Sequence, residues 1–153
     1  MFSSIVQLFV LFVIGHYAAD YLQTGFTAKF KAPDSIRGWQ HILFGHASIQ
    51  AVAIIVAMNY LGYDKSTTLA IATIEMILHS LIDVGKCKDL FGFHTDQFLH
   101  IGCKAVYVAL VMLPQLSWLR IGIIALLVLM PICSALLLTA LKGAKRKFSN
   151  GKP

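Results

Sequence analysis

Histidine and aspartate recur four residues apart at three places in this 153-residue chain. The segments HYAAD, HSLID and DQFLH contain His16 and Asp20, His79 and Asp83, and Asp96 and His100. Residues at this spacing lie on the same face of a helix. Imidazole nitrogen and carboxylate oxygen are ligands that zinc, manganese and iron accept in proteins. The pattern therefore predicts three helices that each direct a His/Asp pair to a shared divalent-metal site. Zinc is the first choice of metal, and manganese and iron are alternatives.

Two further features add candidates for the same site. Glu75 lies one helical turn before His79 and extends that pair to a stripe. The segment WQHILFGH contains His41 and His46. Residues five apart on a helix point about 140° away from each other, so we expect only one of these two histidines to face the site. We favour His41 as the ligand and leave the membership of His46 open. The predicted ligands are His16, Asp20, His41, His79, Asp83, Asp96 and His100. This set exceeds the ligands of one tetrahedral ion, so either two metals bind or some members orient the others.

The composition indicates a membrane protein. Hydrophobic residues make up 58% of the chain and charged residues 13%, and the mean hydropathy is +0.73. This is more apolar surface than one small soluble core can bury. Apolar runs close to the roughly 20 residues that cross a bilayer occur at about residues 5–22, 41–61, 67–84, 98–113 and 119–141. We expect an all-α fold, a polytopic bundle of about five transmembrane helices in one domain over residues 1–141. A short interfacial helix lies in the first connector, and a basic tail follows at residues 142–153.

The basic residues predict the orientation of this bundle. They lie mainly in the first connector, the third connector and the tail, where they comprise Lys29, Lys31, Arg37, Lys86, Lys88, Lys142, Lys145, Arg146, Lys147 and Lys152. The second and fourth connectors contain only Lys65 and Arg120. By the positive-inside rule, the C-terminus is cytoplasmic and the N-terminus lies outside a bacterial inner membrane. All the His/Asp pairs then fall in the cytoplasmic leaflet. The net charge of +6 is explained by membrane lipids and requires no nucleic acid.

The segments HYAADYLQ, WQHILFGH, HSLIDVGK and DQFLH together resemble an uncharacterised family of small phage and bacterial membrane proteins, domain of unknown function 3307. The resemblance covers about residues 10–105 and implies a phage or bacterial membrane protein without assigning an activity. More distantly, a histidine pair that opens one span and an H-x-L-[IL]-D motif that ends the next resemble inner-membrane metal-dependent hydrolases of the SOS-regulated type. His41 and His46 would form the first element, and His79 and Asp83 the second.

A metal-dependent hydrolase at the cytoplasmic face is our first functional hypothesis. Its substrate would be a lipid phosphoester, attacked by a metal-activated water. Asp83 would act at the metal, and Glu75 or an aspartate that does not bind the metal would be the general base. Lys86 would contact the phosphate, and Gln23 and Gln97 would orient the substrate.

Two alternatives come from other functional classes. The same residues could carry protons or a divalent metal in a transport or binding protein, or the chain could be a phage membrane effector that binds a host protein. A conduit needs polar groups across both leaflets, and the outer halves of the predicted spans are apolar. This asymmetry favours a one-sided site. The substrate, the metal and the oligomeric state stay open at this level.

Overall fold

The computed structural model describes residues 2–33 and 35–112, and these residues form helices joined by short turns. The helices are α1 (Phe2–Leu22), α2 (Phe26–Phe30), α3 (Trp39–Tyr60), α4 (Lys65–Cys87) and α5 (Phe93–Met112). The all-α prediction is confirmed for this part of the chain. A short helix, α2, also occurs in the first connector, where the sequence predicted one.

The four long helices form a ring. Helix α1 packs against α3 and α5, and α4 packs against the same two helices from the opposite side, while α2 lies on α3. Successive long helices run in opposite directions, as in an up-and-down bundle. The C-terminal ends of α1 and α4 and the N-terminal ends of α3 and α5 therefore meet at one end of the ring, which we call the site end.

A buried or partly buried residue recurs every four positions along each long helix, and its chemistry changes along the bundle. These stripes are Leu8, Phe12, His16 and Asp20 in α1; His46, Gln50, Ile54 and Met58 in α3; Ile71, Glu75, His79 and Asp83 in α4; and Asp96, His100, Lys104 and Val108 in α5. Residues four apart share a face, so each stripe points into the ring. The polar members lie toward the site end, and the apolar members pack together in the other half.

Close helix packing fixes the rotation of these stripes. A Cβ atom on Gly15 of α1 would lie 3.2 Å from the Cβ of Ala53 in α3. Small residues at such a crossing let two backbones approach, which is the usual basis of helix packing in membranes. The contact holds α1 and α3 close together immediately beside His16.

Local signals set the helix ends. Gly62 follows α3 with φ of 78°, and the N–H of Tyr63 reaches back to the carbonyl of Met58 at 3.0 Å, the pattern of a glycine-terminated helix. Asp64 then caps α4 by accepting from the backbone N–H of Thr67 at 2.9 Å. Hydrogen bonds from Ser66 and Thr67 lower the pKa of the Asp64 carboxyl to about 2.

A tight turn connects α4 to α5 at the site end. The N–H of Leu90 donates to the carbonyl of Gly85, and Asp89 adopts a positive φ of 55°. The ring of Phe91 folds back over Gly85, so close that a Cβ there would lie 2.8 Å from a ring carbon. This turn brings the first residues of α5 beside the last turn of α4.

Three of the helices are long and apolar enough to cross a membrane: Ser4–Leu22, Trp39–Tyr60 and Lys65–Cys87. They correspond to the first three predicted spans. The predicted fourth span falls on α5, which has 20 residues but carries Asp96, His100 and Lys104 and is too polar to qualify by composition. The predicted fifth span and the basic tail lie outside the described residues. Within residues 2–33 and 35–112, the structure therefore supports three of the predicted spans by length and composition.

Candidate metal centre

The polar halves of the four stripes meet in one cluster at the site end. Its imidazoles come from all four long helices: His16, His46, His79 and His100. Their ring centroids are close, 4.1 Å apart for His79 and His100 and 4.9 Å apart for both His46 with His79 and His16 with His100. The aspartates Asp20, Asp83 and Asp96 complete the cluster, and each has a carboxylate oxygen within 4 Å of a histidine Nε2 atom. The structure thus brings together all three predicted His/Asp pairs.

Three ligand atoms of the cluster have the spacing expected around one metal ion: His46 Nε2, His79 Nε2 and Asp83 Oδ2. His46 Nε2 lies 3.0 Å from His79 Nε2 and 3.2 Å from Asp83 Oδ2, and His79 Nε2 lies 3.5 Å from the same oxygen. Ligands about 2.1 Å from a tetrahedral ion are about 3.4 Å apart. We call this set position A.

Neighbouring side chains set the tautomers of two histidines. His16 Nδ1 donates to Gln50 Oε1 at 3.2 Å, because the amide nitrogen of Gln50 donates to Asp20 Oδ1 at 2.6 Å and leaves the amide oxygen as the acceptor. His79 Nδ1 donates to Glu75 Oε1 at 3.3 Å. When Nδ1 holds the proton, Nε2 keeps its lone pair and faces the cluster. Such outer hydrogen bonds are typical of metal-binding histidines.

Three buried atoms of the cluster residues have no hydrogen-bond partner among the described residues, namely His16 Nε2, His46 Nδ1 and Asp96 Oδ1. Lys86 Nζ and Gln97 Nε2 both donate to the other oxygen of Asp96, at 3.2 Å and 3.1 Å. Oδ1 is therefore left facing His100 Nε2 at 3.6 Å. A buried lone pair without a donor is costly, and a cation bound in the cluster would satisfy His16 Nε2 and Asp96 Oδ1. His46 faces position A through its other ring nitrogen, Nε2.

Two further lysines, neither of them a predicted site residue, contact the cluster or its neighbour Glu75. Lys31, just after α2, donates to Asp83 Oδ2 at 2.8 Å and lies 3.1 Å from His46 Nε2. Lys104 donates to Glu75 Oε1 at 2.5 Å, and both side chains are 1% exposed. Lys104 continues the stripe of Asp96 and His100 by one more step of four, so that spacing could have identified it. Lys31 lies in an irregular connector and has no such signal.

The prediction for the two histidines of α3 requires a correction. His46 is buried in the cluster, whereas His41, the predicted ligand, is exposed and belongs to none of the groups that could hold a metal among the described residues. The predicted separation around the helix explains why only one of the two faces inward. Gln50, one turn beyond His46, also contacts the cluster, because its amide nitrogen donates to Asp20 Oδ1. Gln50 was not among the predicted site residues.

A cavity of about 490 Å³ opens beside the cluster at the site end. Lys86, Gln23 and Gln97 line it, as does Lys31. Gln23 also donates to the carbonyl of Ala19. The wall includes three exposed aromatic side chains, Tyr17, Tyr21 and Phe93. The cavity thus combines ammonium and amide donors with exposed apolar surface.

Glu75 differs in position from the other predicted catalytic and substrate-binding residues, which line this cavity. It is 1% exposed, it does not line this cavity, and its carboxylate contacts His79 and Lys104. Its contacts are those of a group that orients an imidazole.

Comparison with known proteins agrees with the resemblance seen in the motifs. The family model described as "Protein of unknown function (DUF3307)" matches residues 8–129, which include every residue of the cluster. No curated protein and no solved structure matches the chain. The more distant resemblance to SOS-regulated hydrolases stays a prediction. Because the match covers most of the chain, the protein belongs to the DUF3307 family of proteins of unknown function.

Proposed function

We propose that this chain is a multi-pass protein of the bacterial inner membrane and a metal-dependent hydrolase that cleaves a lipid phosphoester at the cytoplasmic leaflet. The observation that carries the proposal is the convergence of histidine Nε2 atoms and aspartate oxygens from four helices, with His16 Nε2 and Asp96 Oδ1 buried and unpartnered. Bundles build metal sites from inward-facing side chains in this way. Ionisable groups within spans are costly and are retained for function.

The orientation of the site follows from the charged connectors. Lys29, Lys31 and Arg37 precede α3, and Lys86 and Lys88 end α4, so these basic residues lie at the site end. The opposite end of the described bundle has Lys65. By the positive-inside rule, the site end is cytoplasmic. In this topology α5 is the fourth span, with its charges turned inward. The sequence predicts a fifth span at residues 119–141, which would leave the basic tail in the cytoplasm.

The reaction we propose is hydrolysis of a phosphoester to an alcohol and phosphate. A zinc ion at position A, or manganese or iron in its place, would lower the pKa of a bound water to about 7 and stabilise charge on the phosphate. Asp20 lines the cavity, and its side chain is 31% exposed, which suits a general base. It takes a proton from water, the water oxygen bonds to phosphorus while the ester P–O bond breaks, and Asp20 returns the proton to the departing alcohol oxygen.

The cavity suits an amphiphilic substrate. Lys31 and Lys86 place ammonium groups in its wall, and ammonium groups are good phosphate partners. Tyr17, Tyr21 and Phe93 offer exposed aromatic surface beside them. A phosphate headgroup would lie against the lysines, oriented by Gln23 and Gln97, while its apolar chain would lie along the aromatic residues and the surrounding bilayer.

Metal analysis of detergent-purified protein tests the proposal. We expect stoichiometric metal, a lower melting temperature after chelation, and release of phosphate from a short-chain phosphatidic acid in mixed micelles. Asp83→Ala should remove the metal, the chelator sensitivity and the turnover together, and His79→Ala should remove the ion at position A and the turnover. His41→Ala is the matched control, because His41 is exposed outside the cluster. Wild-type protein without stoichiometric metal, and with melting unaffected by chelation, would contradict the proposal.

The transport alternative is less well supported. A conduit for protons or metal needs polar groups along the whole bundle, but the half opposite the site end is filled by Leu8, Phe12, Ile54, Met58 and other apolar side chains. That apolar layer favours a site that opens to one side. A proton relay would become the preferred function if the purified protein proved to be free of metal.

A further inference from the structure

The carboxylate of Asp83 lies between two sets of ligand atoms. Its Oδ2 faces position A, 3.2 Å from His46 Nε2 and 3.5 Å from His79 Nε2. Its Oδ1 faces α5 and lies 3.9 Å from His100 Nε2, which in turn lies 3.6 Å from Asp96 Oδ1. Two oxygens of one carboxylate that face different ligand sets are the arrangement of a bridging ligand in a two-metal site.

We propose that this protein binds two divalent metal ions and that Asp83 bridges them. Position A uses His46, His79 and Asp83 Oδ2. The second ion, at position B, uses Asp83 Oδ1, Asp96 Oδ1, His100 Nε2 and His16 Nε2. The functional meaning of the second ion rests on the proposed hydrolase, but the binding of two ions does not. In a hydrolase, paired ions about 3.5–4 Å apart stabilise the attacking and the departing oxygens of the phosphate.

Position B has the supporting contacts of a metal site. Lys86 and Gln97 hold Asp96 Oδ2 and leave Oδ1 unpartnered. Gln50 holds the proton on His16 Nδ1 and leaves Nε2 unpartnered. Both side chains are at least nine-tenths buried. We assign these two unsatisfied lone pairs to position B, where one cation would satisfy both.

The distances are compatible with a second ion after a small contraction. The separations of 3.6 Å and 3.9 Å around His100 Nε2 exceed the roughly 3.4 Å between ligands of a tetrahedral ion. Around His100, side chains that close by a few tenths of an ångström would reach that spacing, and the ligand atoms of Asp83, Asp96 and His100 all lie within 4.8 Å of one another. His16 and His100 have ring centroids 4.9 Å apart, so His16 can supply the fourth ligand from the neighbouring helix α1.

The two positions differ in whether a cation must displace a lysine ammonium in order to bind. At position A the Lys31 ammonium already contacts Asp83 Oδ2 and His46 Nε2, so an incoming ion must displace it. At position B, Lys86 binds the oxygen of Asp96 that points away from His100, and the ligand atoms are left open. We therefore expect unequal affinities, with position B filling first.

Manganese loading of the full-length protein tests this proposal without reference to turnover. Stripped protein in detergent, titrated with Mn²⁺, should take up two ions per chain by elemental analysis. At saturation its electron paramagnetic resonance spectrum should show exchange coupling between the ions. Asp96→Asn should retain one ion at position A with an uncoupled spectrum, and His41→Ala should keep both coupled ions.

The possible failures are distinguishable. Saturation of wild-type protein at one uncoupled ion would overturn the two-metal proposal, even if phosphatidic acid were hydrolysed. Retention of two coupled ions by a folded Asp96→Asn variant would overturn the assignment of position B. Two coupled ions without any hydrolysis would support this inference and count against the hydrolase. If Asp96→Asn does not fold, the stoichiometry and coupling of the wild-type protein still decide.

Discussion

Glu75 is buried in contact with both His79 and Lys104, and it has a separate role toward each. A single substitution at Glu75 would disturb both roles at once. Glu75 Oε1 accepts hydrogen bonds from His79 Nδ1 at 3.3 Å and from Lys104 Nζ at 2.5 Å. The first contact orients a proposed metal ligand, and the second neutralises a buried ammonium. We predict that Glu75→Met damages both functions and that adding Lys104→Met restores only stability.

The magnitudes follow from these contacts. Glu75→Met leaves the Lys104 ammonium buried without a counter-charge, which typically costs about 3–5 kcal/mol. It also removes the acceptor that holds the proton on His79 Nδ1, and loss of such an outer partner typically weakens metal binding about 10–100-fold, or about 1.4–2.8 kcal/mol. In the double variant both members of the buried Glu75/Lys104 pair are replaced, so neither leaves an unpaired charge and most of the stability should return. His79 still lacks its acceptor, so the metal affinity should stay low.

The assay pairs unfolding with metal titration in the same detergent. Unfolding of the metal-free protein reports the charge effect, and competition with a chromophoric chelator reports the metal affinity. Glu75→Gln is the matched variant, because its amide oxygen can still accept from His79 while the negative charge is gone. It should lose stability but retain more metal affinity than Glu75→Met.

Two results would refute this reasoning. If the double Met variant bound metal as tightly as wild-type protein, the orienting role of Glu75 would be excluded. If folded Glu75→Met bound metal normally but lost turnover, Glu75 would be the general base of the reaction.

Three further predictions concern the surroundings of the cluster. Lys31→Met should tighten Mn²⁺ binding at position A about tenfold in calorimetric titration, since an ion there no longer displaces a charged hydrogen bond of about 1.5 kcal/mol. His46→Ala should remove one of the two bound ions by elemental analysis, whereas His41→Ala should leave both. Gly85→Ala should destabilise the protein by about 1–3 kcal/mol in detergent unfolding through overpacking, because its new methyl group would lie 2.8 Å from the ring of Phe91.

Each of these has a clear opposing result. Weaker manganese binding in Lys31→Met would mean that the lysine supports the ion and does not compete with it. Equal metal content in the two histidine variants would remove His46 from position A. Gly45→Ala is the control for the glycine substitution, since no atom lies within 4 Å of the added Cβ; equal effects at Gly45 and Gly85 would exclude the contact with Phe91 as the cause.

The sequence alone was sufficient for the features that depend on spacing along one helix. Apolar runs of membrane-crossing length predicted α1, α3 and α4, and the i, i+4 rule put His16 with Asp20, His79 with Asp83, and Asp96 with His100 on shared faces. The same rule, carried one step further, would have reached Gln50 and Lys104. Local chain geometry is enough for these inferences, because a helix fixes the relative direction of its own side chains.

Only the tertiary structure decided how each helix is rotated about its axis. Spacing showed that His41 and His46 diverge, but which of them faces inward depends on the packing of α3 against α1 and α4, including the close approach of Gly15 and Ala53. Lys31 and Asp83 lie 52 positions apart in sequence, and their contact likewise depends on the path of an irregular connector. The free oxygen of Asp96 depends on donors from two helices. Such relations between elements are set by packing, and no periodicity within one segment encodes them.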